Sequence, residues 1–324
     1  MKRAEQGAAM IFVLLVVATL SIVAVQITEQ LRFNVKRLDN QRQNTQAYWY
    51  SLGGEQLART LLEQIEADKP VHRGQAWATE DAVFPIDGGM LQGRIRDAQA
   101  CLNVNNLLVM RTPGEAEPAP TASQQQFVAL LGLLGFEQPR AELLRERIQD
   151  WIDADFQPNG LNGAEDLVYS DREQPLQSAN QLMVSLTELN LMAEMSAQEQ
   201  ALLEGMLCVL PVSDSAVNVN TLSPDQAPLL VALLNAAISQ EDARALLQQR
   251  PENGWESVDQ LLADPLLAGK EIPEDYRATL AVQSAFFRAT INVLYFDTRF
   301  NLQSLMKLDN NKASLVARRY GELF

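Results

Sequence analysis

Residues 2–28 read KRAEQGAAMIFVLLVVATLSIVAVQIT, and this stretch decides how the rest of the chain is arranged. From Ala8 to Thr28 there are 21 residues without a charge. A helix of that length, rising 1.5 Å per residue, crosses the ~30 Å hydrocarbon core of a bilayer. Lys2 and Arg3 precede it, and basic residues hold their end of a span in the cytoplasm, so the chain beyond Thr28 is expected on the far side. A secretory signal peptide cut behind the run is disfavoured, because a site at Ala24 puts Ile22 where a small residue is needed. A plain single-pass anchor satisfies the same hydropathy.

A third reading cuts the chain before the apolar run, immediately after Gly7. The sequence KRAEQG followed by AAMIFVLLVV resembles a prepilin-type leader: a short basic segment, a glycine, then an unbroken hydrophobic helix. That resemblance implies cleavage between Gly7 and Ala8 and methylation of Ala8. The pattern beyond the membrane favours it. Ile27, Leu31, Val35 and Leu38 recur at helical spacing, and after Tyr48-Trp49-Tyr50 a second stripe runs through Leu57, Leu61, Leu62 and Ile65. If helical throughout, Ala8 to Ala67 is ~90 Å long.

The chain has 324 residues, 26 Lys+Arg against 41 Asp+Glu, a net charge of -15, and 47% apolar residues, as in a folded protein of about two domains. The acidity argues against a nucleic-acid partner. One histidine, His72, excludes motifs built on paired histidines, and two cysteines exclude a Cys-based zinc site. His72 follows Pro70-Val71 as an exposed loop histidine with no nucleophile motif beside it. The charge is uneven: residues 115–280 carry 27 acidic and 8 basic residues, the rest 14 and 18. Pro113, Gly114, Pro118 and Pro120 mark a linker at the boundary.

Strand patterns flank this acidic middle. Gly88 to Val104 alternates as a strand, and the C-terminus alternates on both sides of Asp309-Asn310-Asn311, a hairpin turn. The middle (AELLRERIQDWI, EQALLEGMLCVL, APLLVALLNAAI, EDARALLQQR) has helical period and propensity. The expected fold is therefore α+β: a long N-terminal helix packed on a small antiparallel sheet, with a large all-α domain inserted into the head. The divisions are a leader at 1–7, a transmembrane helix at 8–28, an amphipathic helix and first part of the head at 29–112, the insert at 113–280 and closing strands at 281–324. Leu102-Asn103-Val104-Asn105-Asn106-Leu107 echoes Val217-Asn218-Val219-Asn220-Thr221-Leu222, a weak internal repeat. The segment 217–262 resembles helix-hairpin-helix modules of the sterile-alpha-motif-like type, but its acidity points to a protein-interaction or spacer module rather than a DNA clamp.

Four features carry a wider resemblance: QGAAMIFVLLVV, AYWYSLGGEQLA, DWIDADFQPNGLNGAEDLVY and NVNTLSPDQAPLLVALL. On them the chain resembles the general secretion pathway protein K family, the large minor pseudopilins of type II secretion. The resemblance implies a non-enzymatic subunit of the pseudopilus tip that initiates or caps assembly. Its implied partners are minor pseudopilins I and J, further H and the major pseudopilin, prepilin peptidase, inner-membrane lipid, and exoproteins or the outer-membrane secretin. The implied place is the inner membrane of a Gram-negative bacterium, with the C-terminal domain in the periplasm. Phe12 stands where most pilins have a glutamate that neutralises a neighbour's N-terminal amine. A subunit with nothing above it has no amine to neutralise, and an unpaired charge among apolar helices is costly.

Asp150, Asp153, Asp155, Glu165 and Asp166 lie close in sequence, wound by Pro158-Asn159-Gly160 and Asn162-Gly163 between the anchors Trp151 and Tyr169. Hard oxygens without His or Cys select Ca²⁺. The loop is not an EF-hand, since the twelfth position from Asp153 is Ala164. A solvated acidic loop is the bland alternative, and the resemblance points to structural calcium. A second ion on Asp171 or Glu173 stays open. Cys101 and Cys208 are candidates for a disulfide in an oxidising periplasm; two buried free thiols are the alternative. The rival from another functional class is a membrane-anchored periplasmic calcium-binding enzyme, for example a hydrolase.

Overall fold

The computed structural model describes residues 2–110, 119–171 and 175–321, with the side chains of 2–8 left aside. The linker residues Pro113, Gly114 and Pro118, together with Glu173, lie outside the described residues. The chain opens with α1 (Lys2–Leu62), an unbroken helix about 90 Å long. It stops at Leu62, one turn short of Ala67. Its last third buries Ala47, Ser51, Gly54, Glu55, Ala58 and Leu62, a stripe at helical spacing. Gly54 lies where the helix crosses the sheet, and a Cβ there would meet Ile291 and Leu91 at 3.0–3.1 Å.

Next comes the hairpin of β1 (Ala82–Ile86) and β2 (Gly89–Asp97), followed by β3 (Leu102–Asn103). The insert contains α2 (Ala122–Leu133), α3 (Gln138–Ile152), α4 (Asp166–Ser170), α5 (Glu188–Ala193), α6 (Ala197–Leu203), β4 (Leu207–Cys208), β5 (Val217–Asn218), α7 (Ala227–Leu233), α8 (Gln240–Gln248), α9 (Val258–Leu262), α10 (Glu274–Arg277) and β6 (Leu280–Ala281). Then β7 (Phe286–Tyr295), β8 (Thr298–Asp309) and β9 (Lys312–Tyr320) complete an antiparallel sheet of order β1-β2-β7-β8-β9. The architecture is the expected long helix on an antiparallel sheet with a helical insert between β2 and β7. Leu91, Ile95, Phe287, Ala289, Ile291, Val293, Leu302 and Met306 form the head core with α1.

Local details depart from the sequence reading. The strand expected over 88–104 is shorter, because β2 ends at Asp97 and 102–103 pair elsewhere, parallel to β4. β1 is a further strand that the sequence reading did not include; it carries Pro85, which the sheet tolerates at its edge. A turn at Phe296-Asp297 separates β7 from β8, with Phe296 at φ 49° and without the glycine or asparagine that marks such turns. The Asn310-Asn311 hairpin has the positive φ its residues favour, 48° and 58°. Leu207–Cys208 is a strand where helical period was expected.

The insert is two copies of one device. In each, a short strand runs parallel to a returning one: β3 with β4, β5 with β6. The first asparagine of each repeat accepts from the backbone two residues on, Asn105 N to Asn103 Oδ1 and Asn220 N to Asn218 Oδ1. The next asparagine clamps a distant backbone through both ends of its amide. Asn105 accepts from Met183 N and donates to Met183 O; Asn220 does the same with Trp255. Each clamped residue leads into a similar stretch, MVSLTEL and WESVDQL. There Glu188 and Gln260 side chains accept from preceding backbone amides.

Asp97 ties insert to head. Its buried carboxylate accepts from Asn218 Nδ2 (2.9 Å), Thr221 Oγ1 (2.6 Å), Ser284 Oγ (2.6 Å) and Gln99 N (2.8 Å). Burial raises its pKa against these hydrogen bonds. Cys101 and Cys208 are joined in a disulfide beside β3 and β4. His72 is half-buried rather than fully exposed, with Nδ1 accepting from Gly74 N, and burial lowers its pKa.

Glu55 of α1 holds the far edge of the sheet. Arg318 of β9 grips it in a bidentate pair (2.7 and 2.5 Å), and Ser304 of β8 donates to it. Burial alone would raise the Glu55 pKa; the Arg318 and Ser304 hydrogen bonds overcome it and hold the carboxyl below its ordinary value. A lowered folded pKa means stability that is present above the unfolded value and lost as pH falls through the folded one. Glu55→Ala is expected to cost about 2 kcal/mol at neutral pH, less than a fully buried pair because Arg318 is one-third exposed. Glu55→Gln is expected to flatten the acid limb of the stability profile. Chemical denaturation across pH checks both.

Candidate functional site

The acidic loop is wound by one face of α3. Glu146, Gln149 and Asp150, spaced by three and one, all reach into it. Asp150 is fully buried: Oδ1 accepts from Asn159 N (2.9 Å) and Nδ2, and Oδ2 from Ala164 N. Glu146 Oε2 accepts from Asn162 N (2.7 Å) and Nδ2 (3.0 Å). Gln149 donates to Asn159 Oδ1, and Asn159 donates in turn to Asp153 Oδ2 (3.0 Å). Two glycines make this path possible. Gly160 has φ 62°, and a Cβ on it would sit within 2.3 Å of Glu146. At Gly163 a Cβ would sit 2.5 Å from Asn159 backbone atoms and from Asp150 Oδ2.

Winding the loop gathers Asp153, Asp155 and Glu165, whose ligating oxygens lie within 4.8 Å of one another. Asp150 and Asp166, the other two candidate ligands, have structural partners: Asp150 the loop backbone, Asp166 the backbone N and hydroxyl of Ser178. Glu165 is 5% exposed; Oε2 accepts from Ser178 Oγ, while Oε1 has no hydrogen-bond partner. Its pKa is pushed up to about 7, first by burial and then by Asp150, Asp153 and Asp155, against the Ser178 hydrogen bond. A buried carboxylate oxygen left unsatisfied beside two more carboxylates fits a hard divalent cation. Trp151 and Tyr169 meet edge to face below the loop, and Trp151 Nε1 donates to Glu188 Oε2 (2.9 Å).

Glu146, Gln149 and Ser178 went unread in the sequence, and Asn159 and Asn162 were read as turn residues rather than as partners of the carboxylates. Their residue types are ordinary in helices and loops. The one available signal was the i, i+3, i+4 spacing of Glu146, Gln149 and Asp150 on a single helix face.

The second functional surface is α1 itself. Its apolar segment lies in one helix, 0% buried within the chain over the most hydropathic window. Phe12 is 68% exposed on it. Gly7 and Ala8 are backbone positions of the same helix. Beyond the span, Leu31, Phe33, Val35 and Leu38 also stay exposed, at 58–65%. Among the described residues nothing covers them.

Family models described as type II secretion system protein K match residues 100–212 and 217–283. A type II secretion system protein K from Klebsiella pneumoniae is 38% identical over 323 residues, covering 99% of this chain and 98% of the relative. The one from Aeromonas hydrophila is 35% identical, covering 98% and 97%. The crystal structure of the GspK-GspI-GspJ complex from enterotoxigenic Escherichia coli contains a chain that matches with TM-score 0.79 and 34% identity, covering 89% of this chain and all of that one.

The two glycine contacts predict a contrast. Gly163→Ala is expected to lose about 2 kcal/mol or more as the loop rearranges. Gly132→Ala, in α2 with nothing within 4 Å of the new Cβ, is expected to gain about 0.5–1 kcal/mol. Thermal unfolding of the two variants beside the parent measures both.

Proposed function

The chain belongs to the protein K family of the type II secretion system, a minor pseudopilin, and we propose that it sits at the tip of the pseudopilus as a non-enzymatic subunit. The observation that carries this reading is the uncovered apolar stripe of α1. Lipid satisfies residues 9–28. Among the described residues nothing covers Leu31, Val35 and Leu38 in water, so other apolar helices complete the surface. Minor pseudopilins I and J are the proposed occupants, in line with the complex formed by the similar enterotoxigenic protein. The major pseudopilin and H are further neighbours. Phe12 supports the tip: it brings no carboxylate to pair with an amine from a subunit above. The insert, longer in sequence than the head that carries it, supports the same place by blocking further addition. Exoproteins or the outer-membrane secretin are the proposed contacts beyond the tip.

Processing follows the leader. Prepilin peptidase cuts after Gly7 and methylates Ala8, and the helix keeps the subunit in the inner membrane with its head in the periplasm. Intact mass of the full-length protein from its native membrane is expected to show loss of residues 1–7 and gain of one methyl group. An uncut chain overturns the route and revives the membrane-anchored calcium-binding enzyme, a reading weakened by one histidine and no nucleophile motif. Immunogold labelling is expected at filament ends; label along the length overturns the tip position.

Calcium is the proposed structural ion, held by Asp153, Asp155 and Glu165. It would pin the loop to α3 rather than perform chemistry. Glu165 supplies a sign test. A carboxyl whose folded pKa is raised stabilises the fold while protonated, so stability falls as pH rises from the ordinary range, 4.5, to about 7. In chelator this loss is expected; with calcium it is expected to vanish, and Glu165→Gln is expected to abolish the calcium-dependent rise in Tm. A Tm indifferent to calcium across that range removes the ion from the proposal.

A further inference from the structure

The sheet has two faces, and they differ sharply in chemistry. One packs on α1 through the apolar residues described above. On the other, strand register brings arginines together. Arg96 of β2 stands directly opposite Arg288 of β7. Arg94 faces Thr290 one step along, Thr290 faces Gln303 of β8, and Gln303 faces Arg319 of β9. Positions two apart on a strand share a face, so these four arginines lie on the side of the sheet away from α1 with Thr290 and Gln303 between them; beside Arg288 the insert covers this side, where Phe286 and Leu305 pack with Cys208 and Leu210, and Arg96 and Arg319 stay exposed.

Among the described residues little answers this charge. Arg94 reaches Asp81 at the sheet edge at 3.8 Å, a loose and largely exposed contact. Arg319 donates to the carbonyl of Val184 (2.6 Å), which brings a loop of the insert against the end of its side chain. Among the described residues neither Arg96 nor Arg288 has an acidic partner. Arg288 is half-buried, and its pKa is lowered first by burial and then by Arg319 and Arg96. Like charges placed opposite each other on a sheet are destabilising. A chain with 41 acidic residues had many with which to neutralise this face, yet the acids gather on the insert.

We infer that this arginine face is a docking surface for an acidic protein segment, whose carboxylates are gripped by Arg96, Arg288 and Arg319. Charge complementarity carries the choice of occupant. Planar guanidinium groups receive carboxylates in paired hydrogen bonds, and those hydrogen bonds replace the repulsion between the arginines. Partner helices occupy α1, which packs on the opposite face, so the occupant here is a molecule outside the filament. That direction rests on the pseudopilin reading; the binding itself does not.

The test uses the full-length chain in nonionic detergent and a fluorescein-labelled oligoglutamate peptide, read by anisotropy. The expected result is binding that weakens as salt rises and falls roughly tenfold or more in the exposed double variant Arg96→Gln/Arg319→Gln. Arg288→Gln is expected to act the same way, while Arg244→Gln, an exposed insert arginine, leaves affinity unchanged. Unaltered Tm keeps the variants interpretable, and because Arg96 and Arg319 are exposed, the double variant stands if Arg288→Gln fails to fold. Three results overturn the inference. One is equal affinity across parent and variants. Another is no peptide binding but arginine-dependent binding to vesicles of phosphatidylethanolamine with phosphatidylglycerol, which makes the face a reader of lipid phosphate. The third is no peptide binding but arginine-dependent self-association in sedimentation, which makes a second copy's acidic insert the occupant. Because none of these readouts involves filament assembly, failure here leaves the pseudopilin reading untouched, and an uncut leader leaves this one untouched.

Discussion

The pairing of β2 with β7 is the constraint on which the head depends. The two strands are neighbours in space but lie on opposite sides of the whole insert, so the sheet closes only if the insert brings its two ends back to one place. Asp97 supplies the knot. Its carboxylate gathers Ser284 from the returning chain and Asn218 and Thr221 from the second module, and Gln99 beside it accepts from the amides of Ala285 and Phe286. Buried polar groups of this kind are stable only when every one is satisfied, which makes the junction cooperative. The disulfide between Cys101 and Cys208 constrains the first module at the same point.

The insert solves the closure problem twice with one device. Asn105 and Asn220 each bind both polar groups of a distant backbone residue, and each module ends in a strand that runs back beside its first. The modules differ in what lies between α3 or α8 and the clamped residue. In the first, that space holds the carboxylate loop. In the second, the short run from Gln249 to Gly254 fills it. The carboxylate loop is thus an elaboration of a repeated scaffold. Its glycines and asparagines hold the turn while acids gather inside it, at the electrostatic expense recorded in the raised Glu165 pKa.

Among the described residues, two surfaces differ in what they leave exposed. The exposed apolar stripe of α1 is proposed to take helices, and the arginines on the side of the sheet away from α1 to take carboxylates. One is hydrophobic and non-directional; the other is electrostatic and sets register and specificity. A subunit with both can join a bundle on one side and meet a different partner on the other.

The sequence by itself determined a helix long and apolar enough to cross a membrane, the α+β class, the Asn310-Asn311 hairpin and the acidic loop as a cation candidate. Each is a local signal: uncharged length, periodicity, turn chemistry or a cluster of carboxylates within one short stretch. The tertiary structure alone decided which carboxylates meet, because Asp150 and Asp153 have the same side chain and differ in what the folded loop places against them. It also decided that β2 stops at Asp97, that Leu207–Cys208 pairs as a strand, and that Arg96, Arg288 and Arg319 share one face. Those outcomes depend on contacts between residues far apart in the chain, and periodicity carries no information about which distant strand or amide will be the partner.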